Sequence, residues 1–374
     1  MGGEPTFVSI DDRENNAWHY GALGGDKKTL AKDMLYRLKD RFASGAMHMF
    51  TQGKWYPGEI LPRWAMPCTW RVDNIPIWTN PDLFADPDID AKHTLKTAKA
   101  FITALSRKLG IPKTYILEAR EDTPYYLWKD HRMPLADSMM VADVYEKTER
   151  ERLQKLMDED LNAPTGFVLP LHYSHRRDQW ISNAWKFKSG HLVLLVGDSP
   201  IGTRLPLSSL PSPEEAEDEI IPERAVSDMT KKLPSAETLK KRLAAYKTPN
   251  DKPYKKDPNG LIKTAICAQV RDGVLHIYLP PVAWSEHFLE LIKAVELTAA
   301  ETGISVVLEG YRAPSDPRLV SMSVTPDPGV IEVNVQPAES WAKLKDITNT
   351  VYDCLLYTSP SPRDQRGSRM PSSA

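Results

Sequence analysis

Apolar and polar positions alternate without a break from Ile331 to Gln336, directly after a Pro326-Asp327-Pro328-Gly329 turn. A strand repeats its side-chain direction every two residues, so Ile331, Val333 and Val335 share one face and Glu332, Asn334 and Gln336 the other. Elsewhere the period is helical. Leu30, Met34, Leu35, Leu38 and Phe42 predict an amphipathic helix over 27–42. A second helix is predicted over about 91–109, where Gly110 and Pro112 supply the stop. Further helices are expected near 141–157, 236–246 and 285–302, and one begins near Glu339 and Ser340. Short apolar runs predict strands at 115–117, 167–171, 191–196 and 304–309, and 262–270 pairs with 274–279 across Arg271-Asp272-Gly273. Strands joined by both hairpins and helices give an α+β fold with a mixed or antiparallel sheet and flanking helices.

Composition narrows the setting. The chain of 374 residues, 41% hydrophobic, is long enough to bury a real core. With 48 basic and 50 acidic residues its net charge is −2, so no overall field draws it to nucleic acid or to an anionic membrane. No apolar run reaches the ~18 residues of a membrane span, and the opening residues are too polar for a signal peptide. Cys68, Cys267 and Cys354 are odd in number and far apart, which argues against a disulfide framework and for a cytoplasmic setting.

Residues 211–260 differ from their surroundings, acidic through Glu214, Glu215, Glu217, Asp218 and Glu219, then basic through Lys231, Lys232, Lys240, Lys241 and Arg242. They read as a disordered, Pro-punctuated insertion holding one short helix. The chain is thus expected to divide into 1–210 and 261–353 as two parts of one domain, with the insertion 211–260 between them. Residues 354–374 turn abruptly to polar low complexity, resemble a translated library adapter, and are set apart as an artefactual tail. At the other end the chain enters a strand almost at once, as though starting inside a domain.

Candidate chemistry lies where polar side chains meet strands. The row Glu332, Asn334, Gln336 offers oxygens at roughly 6 to 7 Å intervals, suited to a hard cation or a nucleotide; the alternative is a half-exposed strand in water. Glu4 opens a strand ahead of Asp11 and Asp12. Lys54 and Arg63 sit in a glycine- and aromatic-rich loop over 52–64, placed to aim cations at phosphate oxygens. Glu309 ends an apolar strand and is followed by Arg312, Asp316 and Arg318. Carboxylates gathered on neighbouring strands repel unless a cation neutralises them, so this set suits Mg²⁺ and nucleotide, against a reading of unrelated surface ion pairs. His172 and His175 have zinc-like spacing without the accompanying ligand motifs, and Cys68 has no base marked beside it, so core or surface histidines and a buried thiol are favoured. Walker-type and dinucleotide glycine motifs are absent from the sequence.

Five collinear stretches carry a resemblance: 2–9, 52–59, 195–207, 308–311 and 327–337. Over about residues 2 to 353 the chain resembles the amidoligase domain that follows a transglutaminase-like domain in large bacterial proteins, a group placed among glutamine-synthetase-like carboxylate–amine ligases. The resemblance implies a glutamine-synthetase-like fold and ATP-dependent activation of a carboxylate as an acyl phosphate, followed by attack of an amine. It implies Mg²⁺ at Glu4, Glu309 and Glu332, catalytic roles for Glu309, Arg312 and Arg318, and nucleotide contacts from Lys54, Arg63, Asn334 and Gln336. The implied partners are the upstream transglutaminase-like domain and a peptide or amino-acid substrate. Two departures stand out. Gln269 occupies a strand position where the family pattern has Glu, and the family's glycine-rich Asn-His segment is replaced after residue 353, so the chain is expected to be incomplete and inactive by itself. A competing reading is a non-catalytic peptide-binding module that uses Trp55, Trp64, Trp70 and Trp78 as its recognition surface, and a third is a thiol hydrolase built on Cys68.

Overall fold

The computed structural model describes residues 5–358 apart from 10–13, 44, 55, 57–62, 90, 122–163, 188–189, 196, 198, 211–228 and 248–261. In chain order the strands are β1 (Thr6–Phe7), β2 (Met47–His48), β3 (Thr51–Gln52), β4 (Trp64–Arg71), β5 (Leu117–Arg120), β6 (Gly166–Pro170) and β7 (His172–Ser174). They continue with β8 (Gln179–Ile181), β9 (Leu192–Val193), β10 (Ala265–Arg271), β11 (Val274–Leu279), β12 (Val306–Gly310), β13 (Leu319–Asp327) and β14 (Val330–Asn334). The helices are α1 (Gly25–Phe42), α2 (Leu95–Lys108), α3 (Ala236–Ala245), α4 (Ser285–Thr302) and α5 (Trp341–Thr358).

Two six-stranded sheets dominate. The first, β1-β14-β13-β4-β2 with β3 also paired to β4, is antiparallel throughout. The second, β12-β11-β10-β6-β5-β9, is mixed, with parallel pairing only at β11–β12 and β5–β9. The fold is therefore α+β. Each sheet takes strands from both sides of the 211–260 segment. The segment around Phe50 joins them: Met49 N donates to Pro67 O in the first sheet (3.0 Å), and Phe50 N donates to Leu308 O in the second (2.9 Å).

Period-two patterning decides which face each sheet buries. On the first sheet Met66, Cys68, Met322, Val324, Ile331 and Val333 turn toward α1, whose Ala31, Met34, Leu35 and Leu38 join the same core. On the second, Ile266, Ala268, Leu275, Ile277 and Leu308 turn toward α2, α3 and α4 in a larger core. Both sheets thus have helices behind them and a more polar face in front. At one end of the second sheet that front is covered by Trp185, Ile201 and Leu205 packed on Val168 and Cys267.

Two turns set the front edges. Asp272 and Gly273 adopt φ values of 48° and 77° between β10 and β11, the backbone a two-residue hairpin favours. Gly329, at φ 73°, closes β13 onto β14.

Most predicted helices fall within a few residues of those found, and Gly303 caps α4 at φ 67°. Three expectations change. The 115–117 strand begins only at Leu117, after a one-turn helix Lys113–Tyr115. The 191–196 strand shrinks to Leu192–Val193, with Leu195 51% exposed. The last helix does not break at residue 354: α5 runs on to Thr358, with Cys354 buried against the first core.

The helix within the charged stretch is no solvent spacer, because Leu239 and Leu243 of α3 enter the larger core. Burying two leucines contributes about 2 kcal/mol each, enough to hold a ten-residue helix that would be marginal alone. The predicted helix at 141–157, segments 211–228 and 248–260 of the insertion, and 359–374 of the tail lie outside the described residues.

Candidate functional site

The polar fronts of the two sheets meet in a trough with two lobes, about 960 Å³ and 280 Å³ in volume. Gln52, Gly53, Arg63, Trp64 and Arg312 line both and form the seam. The smaller lobe lies on the first sheet. Register places Thr325 opposite Glu332 and Ser323 opposite Asn334, and all four line the lobe. Asn334 Nδ2 donates to Thr325 Oγ1 (3.0 Å), which donates to Glu332 Oε2 (3.4 Å). That chain fixes the amide so that Asn334 Oδ1 remains available as an acceptor.

The larger lobe is floored by the second sheet. Glu309 stands at the end of β12, one strand over from His276 on β11 and two from Arg271 on β10. Its Oε1 accepts from the Arg271 guanidinium and from His276 Nδ1 (2.9 Å). Burial acts to raise the Glu309 pKa, but the His276 hydrogen bond and the Arg271 charge outweigh it and hold the carboxyl below its ordinary range. Burial lowers the His276 pKa more than Glu309 raises it, so the imidazole is neutral. Arg271 Nη2 also approaches Nδ1 (2.6 Å) because both donors converge on one carboxylate oxygen. With Nδ1–H directed at the carboxylate, Nε2 is left as an acceptor on the lobe floor.

Arg312 is the outlying charge. It lines both lobes and has no hydrogen-bond or ion-pair partner among the described residues. Its surroundings lower its pKa by desolvation although its surface keeps contact with solvent, as expected for a cation set into a concave wall. Lys54, exposed, lines the smaller lobe.

Other expected site residues are placed differently. Arg63 is buried, paired with Asp327 and stacked on Tyr56 (4.4 Å to the ring centre), so it builds the seam wall with its charge already met. Arg318 lies outside both lobes, bound to Asp316 (2.6 Å) and to Glu286 (2.8 Å) at the start of α4. Its guanidinium ties a loop to a helix. Gln336 follows β14, is buried, and lies off the trough, its Oε1 without a hydrogen-bond partner among the described residues. Glu4, Asp11, Asp12 and Trp55 lie outside the described residues.

The remaining alternatives lose their footing. Trp70 and Trp78 are buried in the two cores rather than displayed, and among the described members of this set only Trp64 reaches the trough. Cys68 is fully buried and its thiol is pushed up to about 12 by burial, which removes the nucleophile. His175 packs against Trp284 and His287 (4.3 and 5.0 Å between ring centres), and no group of three or more metal-ligating side chains occurs among the described residues.

Gln269, singled out in the sequence as a departure from the expected Glu, is not directed at the trough's charges. Its Oε1 accepts from Ile201 N (3.3 Å) and anchors the loop whose Ser199, Pro200, Gly202 and Thr203 wall the larger lobe. Arg204 braces the same loop through Ser199 O (2.8 Å) and Glu121 (2.7 Å). Gly202 is required there, since a Cβ would stand 2.1 Å from the Tyr278 ring. Sequence reasoning noted the 195–207 motif but gave it no role, and it missed Arg271 and His276. A signal was present: His276 interrupts the apolar run of β11 between Leu275 and Ile277.

A family model described as "Putative amidoligase enzyme (DUF2126)" matches residues 1–358. The chain belongs to this amidoligase family. No curated protein and no solved structure matches it. In this chain the trough gathers Lys54, Arg63, Glu309, Arg312, Glu332 and Asn334, and leaves out Arg318 and Gln336. Among the described residues no helix is long and apolar enough to cross a membrane.

Proposed function

We propose that this amidoligase uses ATP and Mg²⁺ to activate a carboxylate and joins it to an amine, with the trough as its site. The observation that carries the reading is Arg312, a guanidinium set into the seam wall, in contact with solvent, with no anion to meet it among the described residues. A planar fork of donors in that state favours a phosphate or carboxylate. Charge-assisted hydrogen bonds contribute about 1.5 to 3 kcal/mol. Lys54 adds a second cation on the smaller lobe, so the polyphosphate is assigned to Arg312 and Lys54.

Glu332 and Asn334 Oδ1, which line the same lobe, suit a hard cation. Mg²⁺ keeps several waters and takes one or two carboxylates plus phosphate oxygens, so a sparse oxygen wall fits it better than a dedicated cage would. Once bound, the ion neutralises charge on the transferring phosphoryl group. Glu309 does not fit as a ligand: its carboxylate already serves Arg271 and His276, and it positions them. The reading also assigns a peptide or amino-acid substrate and a transglutaminase-like partner, supported by the family resemblance, and a cytoplasmic setting, supported by the cysteine usage.

Calorimetry tests it. Mg-ATP titrated into the chain is expected to bind at micromolar concentration, with affinity lost on chelating Mg²⁺ and lowered about tenfold in Glu332→Gln. Binding that is indifferent to both Mg²⁺ and Glu332 contradicts the metal assignment. No heat with ATP at millimolar concentration contradicts the function.

A further inference from the structure

The two lobes differ in lining as well as in size. The smaller sets Lys54, Arg312, Glu332 and Asn334 beside Tyr56, Trp64 and Pro326, whereas Pro200, Leu205, Leu207, Tyr278 and Tyr311 line the larger. Tyr311 is the conspicuous member, 52% exposed on the wall of a cleft. Its ring meets Tyr278 edge-on, with centres 6.4 Å apart and planes at 89°, so one aromatic edge is engaged while a face remains available.

The backbone explains why this ring stands where it does. Gly310 takes φ 92°, and a Cβ there would lie 2.4 Å from Leu279 O. Only glycine makes that bend at the end of β12, and Tyr311 N then donates to Leu279 O (3.1 Å). The bend brings two consecutive side chains to the trough, the aromatic Tyr311 on the larger lobe and, at the seam, the cation Arg312, which has no partner among the described residues.

We infer that the larger lobe is the nucleoside subsite, with Tyr311 as the stacking platform for the base, and that the phosphates cross the seam at Arg312 into the smaller lobe. The inference rests on the ATP reading above and deepens it. A base needs an apolar flat contact and a polyphosphate needs cations, and Gly310-Tyr311-Arg312 supplies both in adjacent positions. The volume suits it too, because pockets of roughly 300 to 1,000 Å³ take ligands of this size. His276 Nε2 on the floor of the same lobe accepts a donor from the sugar or the base.

The test compares Mg-ATP with Mg-tripolyphosphate on the full chain, by calorimetry, in wild type, Tyr311→Ala and Tyr311→Phe. Stacking on an aromatic side chain is worth about a tenfold change in affinity. Tyr311→Ala is expected to weaken ATP by that factor and leave tripolyphosphate unchanged, while Tyr311→Phe binds both as wild type does. Because Tyr311 is exposed, melting temperatures are expected to coincide, which separates lost stacking from lost fold. The inference is overturned if wild type binds ATP no better than tripolyphosphate, or if Tyr311→Ala weakens both equally or neither. If wild type binds neither ligand, the ATP reading fails first and this inference falls with it.

Discussion

Glu309 lies near the end of β12 and Glu332 in the middle of β14, and the two lobes they occupy are built on opposite principles. Around Glu309 the charges are mutually satisfied: one carboxylate, one guanidinium and one neutral imidazole bind each other at the edge of the second sheet. Around Glu332, Thr325 bridges the carboxylate to Asn334, and these groups line the same lobe as Lys54 and Arg312. The first set behaves as architecture with one outward acceptor, while the second shares its lobe with a cation, Arg312, that has no partner among the described residues. A carboxylate on a strand is therefore informative only once its partners are known.

The contrast can be broken most sharply by removing each carboxylate. Glu309→Ala leaves Arg271 and His276 without their anion and is expected to destabilise the fold by about 3 kcal/mol, the low end for a broken buried pair, since Arg271 keeps 25% of its side chain exposed. Glu332→Ala is expected to change stability by under about 1 kcal/mol. Urea denaturation measures both, and equal losses would erase the distinction.

Next in size is Arg318→Ala, which strips the pairing from Asp316 and is expected to lower stability by about 2 kcal/mol while leaving Mg-ATP affinity unchanged. Burial works to raise the Asp316 pKa, but the Arg318 hydrogen bond outweighs it and holds the carboxyl at about 2. A depressed carboxylate stabilises the fold fully above its unfolded pKa and loses that contribution as pH falls through about 2. Acid denaturation is thus expected to show a steeper wild-type loss below pH 4 than Arg318→Ala shows. A fall in nucleotide affinity in Arg318→Ala would return this residue to the site.

The last effect is a slope. Lys27 is shielded from solvent and donates to Gly21 O (2.8 Å) and Asp327 O (2.9 Å), tying α1 to the turn behind Arg63. Burial lowers its pKa from 10.5 to about 8, although Asp327 opposes the shift. Between those values the unfolded chain binds more protons, so stability is expected to rise with pH from 8 to 10.5. Lys27→Met is expected to flatten that rise in denaturation measured across the window. A wild-type curve parallel to that of the variant refutes the assignment.

The sequence made the elements legible where period and punctuation agreed. The alternation from Ile331 to Gln336 gave the correct faces for Ile331, Val333, Glu332 and Asn334, and failed at Gln336, where the strand had ended and the residue turned inward. Helix ends marked by Gly110 and Gly303 were readable for the same reason. The trough was half legible. Side chains on β3, β4, β12, β13 and β14 converge through pairings 250 residues and more apart in sequence, such as Thr69 with Ser321, which no local pattern encodes. Charge state was the least readable property. Arg63, Arg312 and Arg318 are alike as letters, and only the fold shows that Asp327 meets the first and Asp316 the third, while the second has no counterion among the described residues.

The central claim, that the open seam rather than the closed triad receives the nucleotide, is tested most directly by titrating Mg-ATP into wild type and Arg312→Ala under identical conditions, with melting curves recorded alongside. Arg312→Ala is expected to bind at least about tenfold more weakly at an unchanged melting temperature. Equal affinity in the two proteins would contradict the account.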